Sequence, residues 1–173
     1  MTAAAPDLFG LLDALARHGV DYVLVGGMAA RVYGASRQTA DLDILARDMD
    51  DNMDRLAAAL NELGARSDVA PRADRHELRA MNTRWETDAG PVDVIVTAQG
   101  PAGSTINWRT LDKGAQTIVH DGHQLRIAAL EDLIVMKLSV GRPHDIAVAE
   151  ELAPGSSSAF KEYLAPRSPR DLT

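Results

Sequence analysis

The chain predicts an α+β fold: one mixed β-sheet flanked by helices, with a small helical lobe toward its C-terminal end. Three observations predict it. Apolar runs of strand length alternate with stretches whose leucines recur at helical spacing. The order is helix, strand, helix, strand, helix, strands, then two helices, which suits a layered sheet. The runs Val20 to Val25, Asp41 to Ala46 and Val92 to Val96 are apolar enough to lie side by side inside one sheet.

The elements follow in order. Residues 7–18 predict an amphipathic helix, because Leu8, Leu11, Leu12 and Leu15 recur at helical spacing and Gly19 stops it. Val20 to Val25 is a strand. Gly26-Gly27 opens a helix that reaches about Tyr33 and ends at Gly34. Asp41 to Ala46 is the second strand. Residues 50–63 form the next helix, with Met53, Leu56, Leu60 and Leu63 on one face and Gly64 behind it. His76 to Asp88 alternates and is rich in charge, which predicts a hairpin at the sheet edge turning near Asn82. Val92 to Val96 is the third apolar strand, and residues 98–114, with their glycines and proline, predict loop. Thr117 to Ile127 predicts a hairpin about Asp121-Gly122, a dipeptide suited to a tight turn. Leu130 to Val140 is a helix, and another begins near Pro143. Beyond Pro154-Gly155-Ser156-Ser157-Ser158 the chain reads as a polar tail, mobile or docked through Phe160, Tyr163 and Leu164. The units expected are a core over 1–115, a hairpin-plus-helix lobe over 116–153 and a tail over 154–173.

Composition narrows the function. With 173 residues and 46% hydrophobic content the chain can bury a core, so wholesale disorder is excluded. No apolar run is long enough to span a bilayer, and no membrane partner is expected. The opening Met1-Thr2-Ala3-Ala4-Ala5-Pro6-Asp7 lacks the basic region of a signal peptide, and there is no cysteine. A cytoplasmic location is therefore expected. The absence of cysteine also removes a thiol nucleophile and a cysteine-based zinc site. A net charge of −7 disfavours a generic nucleic-acid coat protein, although a local basic groove remains open.

Two aspartates carry most of the chemistry. In Thr39-Ala40-Asp41-Leu42-Asp43-Ile44 a strand points Asp41 and Asp43 to one face and Leu42 to the other. Two bare carboxylates on one face repel each other. Solvent at an edge strand would tolerate them, but Leu42, Ile44 and Leu45 argue for a central strand. A divalent cation resolves the conflict, because Mg²⁺ takes one or two carboxylates completed by substrate phosphates and water. The first reading is thus a metal-dependent enzyme acting on a nucleotide.

Other residues support that reading beside plainer alternatives. Gly26-Gly27 at a strand-to-helix turn lets backbone approach a phosphate at a helix N-terminus; equally, the pair serves a tight turn. Neither a Rossmann glycine fingerprint nor a P-loop is present. Asp93, between Val92 and Val94, asks for a partner: either an arginine, or the other two acids with their metal, where it could accept a proton from an attacking hydroxyl. Lys137 falls within an apolar helical stripe with Leu130, Leu133 and Ile134, so it either snorkels to solvent or meets an anion. Pro143 and Asp145 suit the first turn of a helix. His120 and His123 read as hairpin residues. Arg72, Arg75, Arg79, Arg84 and Arg109 read mostly as solvated charge, with a polynucleotide path as the alternative.

The set Gly26-Gly27, Thr39-x-Asp41-x-Asp43 and Asp93 resembles the nucleotidyltransferase superfamily related to DNA polymerase β. The stretch from Leu130 through Lys137 to Gly141-Arg142-Pro143-His144-Asp145 resembles a narrower group, the AbiEii/MenT-like toxins of bacterial toxin–antitoxin systems. Many superfamily members have Gly-Ser where this chain has Gly26-Gly27, so a phosphate-touching hydroxyl is missing. The resemblance implies a nucleotidyltransferase-like fold and two-metal transfer with Mg²⁺ or Mn²⁺. Asp41 and Asp43 would hold the metal on the triphosphate, and Asp93 would help activate an acceptor 3′-hydroxyl. Gly26, Gly27, Arg37, Thr39, Lys137, Arg142 and Asp145 would bind or support the nucleotide. The implied donor is CTP or UTP, the acceptor the 3′ end of tRNA, and the consequence blocked translation. A cognate antitoxin is the implied partner. Thr39 shares the strand face of Asp41 and Asp43, so a kinase-type antitoxin could silence the site by phosphorylating it. Two other readings stand beside this one: a nucleotidyltransferase acting on a small molecule such as an aminoglycoside, which the acidic chain suits, and a degenerate member that only binds nucleotide or a partner.

Overall fold

In the computed structural model, which describes residues 6–165, the chain begins with helix α1 (Leu8–Arg17). The Asp7 carboxylate caps it by accepting from the Gly10 N–H at 2.9 Å. Strand β1 (Tyr22–Val25) leads without a loop into α2 (Gly26–Val32), and β2 (Leu42–Ala46) follows. Helices α3 (Asp50–Glu62) and α4 (Arg75–Ala80) precede the hairpin β3 (Thr83–Thr87) and β4 (Gly90–Ile95). A small ribbon of β5 (Thr97–Gln99) and β6 (Thr105–Asn107) leads to α5 (Trp108–Asp112). A second hairpin, β7 (Gln116–His120) and β8 (His123–Ile127), is followed by α6 (Leu130–Val140), α7 (Pro143–Leu152) and α8 (Ser156–Leu164).

Six strands form one mixed sheet in the order β3-β4-β2-β1-β8-β7. The pairs β2/β4 and β1/β8 are parallel and the other three are antiparallel. The three apolar runs therefore lie side by side, as their composition predicts. The sheet runs on through the 116–127 hairpin, because β8 pairs with β1.

Strand alternation sends the side chains into two cores. Tyr22, Leu24, Leu42, Ile44, Trp85, Val92 and Val94 meet Leu11, Leu15, Met53, Leu56 and Leu60 on one side. Val23, Val25 and Leu45 meet Leu111, Ala128 and Met136 on the other. The second core is much the smaller. It ends along β2 just before Asp43, and that margin is where the site opens. Fully buried Asn52 fixes the far end of the sheet: it accepts from the Asp21 N–H at 2.7 Å and donates to the Asp21 and Arg47 carbonyls at 2.9 and 2.8 Å.

The structure corrects three expectations. The hairpin expected over His76 to Asp88 is a helix followed by a strand. Asp74 caps α4 through the His76 and Glu77 N–H groups, and Leu78 is driven into the core, so a single apolar anchor outweighs the alternating charges. The turn falls at Asp88-Ala89, where Gly90 takes a φ of +130°. Residues 98–114 are not loop. Asn107 and Thr110 form a reciprocal capping box for α5, which buries Leu111. The tail is helical as far as Leu164, because Glu150 accepts from the Gly155 and Ser157 N–H groups at its start. Tyr163 and Leu164 stay exposed; only Phe160 is half-buried. The rest of the tail, 166–173, lies outside the described residues.

If α4 is anchored as described, Leu78→Ala should lower unfolding free energy by about 2–5 kcal/mol and Asp74→Ala by about 1 kcal/mol in urea titrations. A hairpin turning at Asn82 would leave Asp74→Ala silent.

Candidate active site

The acids gather where two parallel strands meet at the end of the smaller core. Register pairs Asp43 with Asp93 across β2/β4, Val25 with Asp43 across β1/β2, and Arg84 with Asp93 across β3/β4. Residues paired in register share a face, so Asp43, Asp93 and Arg84 project together, with Asp41 two residues before Asp43. They open into a cleft of about 640 Å³, which is also lined by Gly26, Gly27, Arg37, Thr39, Lys137, Arg142 and Asp145. Every residue expected to act on the nucleotide lies along this cleft.

Gly26 is required by two separate features. Its φ is +65°, and an added Cβ would lie 1.9 Å from Asp43 Oδ2. The bare backbone lets the first turn of α2 close onto the carboxylate, and the Gly27 N–H donates to Asp43 Oδ2 at 3.2 Å. Gly27 meets the Thr39 hydroxyl: a Cβ there would lie 2.6 Å from Thr39 Oγ1. The room a Gly-Ser motif would give to serine is filled here by Thr39, whose hydroxyl donates to Asp41 Oδ1 at 2.7 Å.

The carboxylates are held differently. Burial works to raise Asp41, but hydrogen bonds from Thr39 and Arg84 outweigh it and keep it below the ordinary range. Burial raises Asp43 to about 6, with Asp41 and Asp93 adding like-charge repulsion against the Gly27 N–H and Lys137. Burial also raises Asp93, with Arg84 opposing and Asp41 adding to the rise. Arg84 Nη1 lies 3.1 Å from Asp41 Oδ2 and 3.2 Å from Asp93 Oδ2, and its Nε lies 3.1 Å from Glu86. Asp93 therefore has an arginine partner, and it also stands beside the other acids.

Across the cleft, α6 ends at Gly141, with a φ of +71°, and α7 begins with Pro143. This elbow brings the last turn of one helix against the first turn of the next. The anion that Lys137 meets is Asp145, 3.5 Å away. Asp145 is almost wholly buried and also accepts from Arg142 Nε at 2.6 Å, with His144 Nε2 at 3.6 Å. It is more than a helix-dipole acid, since three basic side chains surround it. His120 and His123 lie elsewhere, stacked on Phe9, as hairpin residues should. Arg75 and Arg79 are tied to acids of α3 and the turn before it.

Arg84, read from the sequence mostly as solvated charge, lines the cleft and pairs with two of its acids. The period of two and the true hairpin register would have set it opposite Asp93. Asn82, whose side chain bonds the Val96 N–H and the Thr97 carbonyl, and His144 also line the cleft.

The donor set is all carboxylate oxygen, which fits a hard cation such as Mg²⁺ or Mn²⁺. Among the described residues no three acidic or histidine side chains close into a ready-made metal cage. Asp41 and Asp93 are turned onto a guanidinium, so the residues fit a divalent cation in kind while Arg84 supplies the positive charge between two of them.

No protein-family model matches the chain, and no curated protein matches it. Solved structures do. The lincosamide antibiotic adenylyltransferase LnuA with lincomycin bound superposes with a TM-score of 0.60 at 16% identity, over 84% of this chain and 94% of that one. The fold is that of nucleotidyltransferases. The antibiotic-resistance factor ANT(2'')-Ia gives 0.54 at 17% identity over 90% of each chain. A candidate nucleotidyltransferase of Thermotoga maritima gives 0.55 at 15%, over 83% of this chain and 88% of that one. Among the described residues no helix is long and apolar enough to cross a membrane.

Two outcomes follow. Gly26→Ala should disturb the site through both backbone strain and the Asp43 contact, and should lower thermal stability. Asp43 holds its proton more tightly folded than unfolded. Its contribution to stability is therefore fullest below its ordinary value of 3.8 and is lost as pH rises through about 6. Asp43→Asn should raise stability above that range by at most about 3 kcal/mol in metal-free buffer, and should add nothing below it; melting curves across pH read both.

Proposed function

We propose that this chain transfers a nucleotidyl group from a nucleoside triphosphate to a hydroxyl of an acceptor, releasing pyrophosphate. The observation that carries the reading is the convergence of Asp41, Asp43 and Asp93 at a cleft faced by the Gly26-Gly27 turn and Lys137. Asp41 and Asp43 would hold a divalent cation, with Asp93 completing the donor set. When bound, that cation would neutralise charge on the phosphates and acidify the attacking hydroxyl.

The chain's own residues supply the rest. The acceptor oxygen attacks the α-phosphorus, the bond from that phosphorus to the bridging oxygen breaks, and pyrophosphate leaves with the electron pair. Asp93, raised by burial, takes the hydroxyl proton. Lys137, held by buried Asp145, presents a cation to the triphosphate. The bare Gly26 and Gly27 let the first turn of α2 close onto Asp43 and Thr39, which holds the Asp43 carboxylate at the cleft wall. Arg37 and Arg142 border the same cleft and suit phosphate or base.

The acceptor we infer is the 3′ end of tRNA, with CTP or UTP as donor and a toxin's growth arrest as the consequence. The segment from Lys137 to Asp145 supports this, as does its place at the cleft. Neutralisation by a partner antitoxin, acting on Thr39, suits the same geometry. A phosphate on Thr39 Oγ1 would replace the hydrogen bond to Asp41 with a second anion against it. A second reading has its own support. LnuA is by name a lincosamide antibiotic adenylyltransferase and ANT(2'')-Ia an antibiotic-resistance factor, and the carboxylate wall of the cleft, on a chain of net charge −7, suits a cationic small acceptor.

One experiment separates the acceptors. Each labelled nucleoside triphosphate is offered with Mg²⁺ and either total tRNA, an aminoglycoside or a lincosamide. Label on tRNA is the expected result, and Asp41→Ala should cut it by about 10²–10³-fold or more. Label on the antibiotic alone would move the acceptor to a small molecule. No label on any acceptor would reject transfer. Intact-mass measurement after co-expression with a neutralising antitoxin should show a phosphate on Thr39; unmodified yet silenced protein would reject that route.

A further inference from the structure

Arg84 stands where the chemistry asks for a metal. Its Nη1 bridges Asp41 and Asp93 at 3.1 and 3.2 Å, on a strand whose register fixes it opposite Asp93. The side chain is half exposed, and Glu86, two residues on along the same strand face, offers it a second partner at 3.1 Å. It is thus tethered both to the acid pair and to an anchor outside it, with solvent on its open side. A guanidinium pairs with two carboxylates or with a phosphate by the same fork of N–H groups.

We propose that Arg84 is a tethered counter-cation. It holds the Asp41/Asp93 position against free divalent metal and gives that position up when its guanidinium transfers to a phosphate of the arriving nucleotide. Metal and nucleotide then enter together. The inference rests on the reading that these carboxylates take a divalent cation. Its physical basis is competition: two cations cannot both neutralise the same pair of oxygens. What favours Arg84 at the site disfavours the metal by the same factor. The arrangement also explains why the acids do not form an open cage, since two of the three are turned inward onto the arginine.

The test measures Mn²⁺ binding to the full-length protein by electron paramagnetic resonance, without nucleotide and then with a non-hydrolysable CTP analogue. Arg84→Gln should bind Mn²⁺ alone about tenfold more tightly than the wild-type chain, and the analogue should enhance its Mn²⁺ affinity less. Arg84→Lys keeps the charge but lacks the fork. It should fall between the two and carries the comparison if the glutamine variant fails to fold. Arg79→Gln removes a cation tied to Asp48 and Asp50 outside the cleft and should leave Mn²⁺ affinity unchanged. Asp41→Asn marks which Mn²⁺ belongs to the site. Equal Asp41-dependent binding in wild-type and Arg84→Gln proteins overturns the counter-cation alone, as does equal tightening in Arg79→Gln. Absence of any Asp41-dependent Mn²⁺ in every variant overturns the metal reading beneath it.

Discussion

Like charge at close quarters is the constraint that organises this molecule. Asp43 and Asp93 share one face of two adjacent parallel strands, with Asp41 just ahead of the first, at the edge of a small core where water is partly excluded. Such a cluster is costly unless something positive joins it. The surroundings supply that charge in pieces: Arg84 across Asp41 and Asp93, the Gly27 N–H on Asp43, and Lys137 across the cleft. Each piece needs its own local structure. The arginine needs the hairpin register, the N–H needs a glycine that lets helix α2 close onto the acid, and the lysine needs the α6–α7 elbow.

That elbow repeats the logic with the signs reversed. Here a single buried acid, Asp145, is met by Lys137, Arg142 and His144. Removing Asp145 would leave Lys137 in a largely buried position without its anion, the more damaging way to break a buried pair. One wall of the cleft thus has surplus negative charge and the other surplus positive charge. A triphosphate with its cation is a ligand that satisfies both walls at once.

Much of this was legible in the sequence because it is local. The helical stripe of Leu8, Leu11, Leu12 and Leu15, the apolar strands and the Asp121-Gly122 turn each declare themselves within a dozen residues. Asp41, Asp43, Asp93 and Lys137 stood out because charge within apolar runs calls for a reason. Helix α4 was not legible, since its period rests on one buried residue, Leu78, amid charges that also alternate. Arg84 was misplaced for the same reason: its role depends on a register that the wrong hairpin concealed. The partner of Lys137 lay eight residues downstream across a helix break, and only the angle of that break brings the two together.

The parallel pairing of β2 with β4 has a kinetic consequence. Asp43 and Asp93 are adjacent in space but separated in the chain by two helices and the first strand of a hairpin. Contacts between such distant segments form late, because the intervening loop must close before any pairing rewards it. The acidic centre therefore cannot assemble from local contacts, and the first 80 residues emerging from a ribosome carry two of its aspartates with neither the third nor the arginine. Chemistry at this site is withheld until synthesis is well past the middle of the chain.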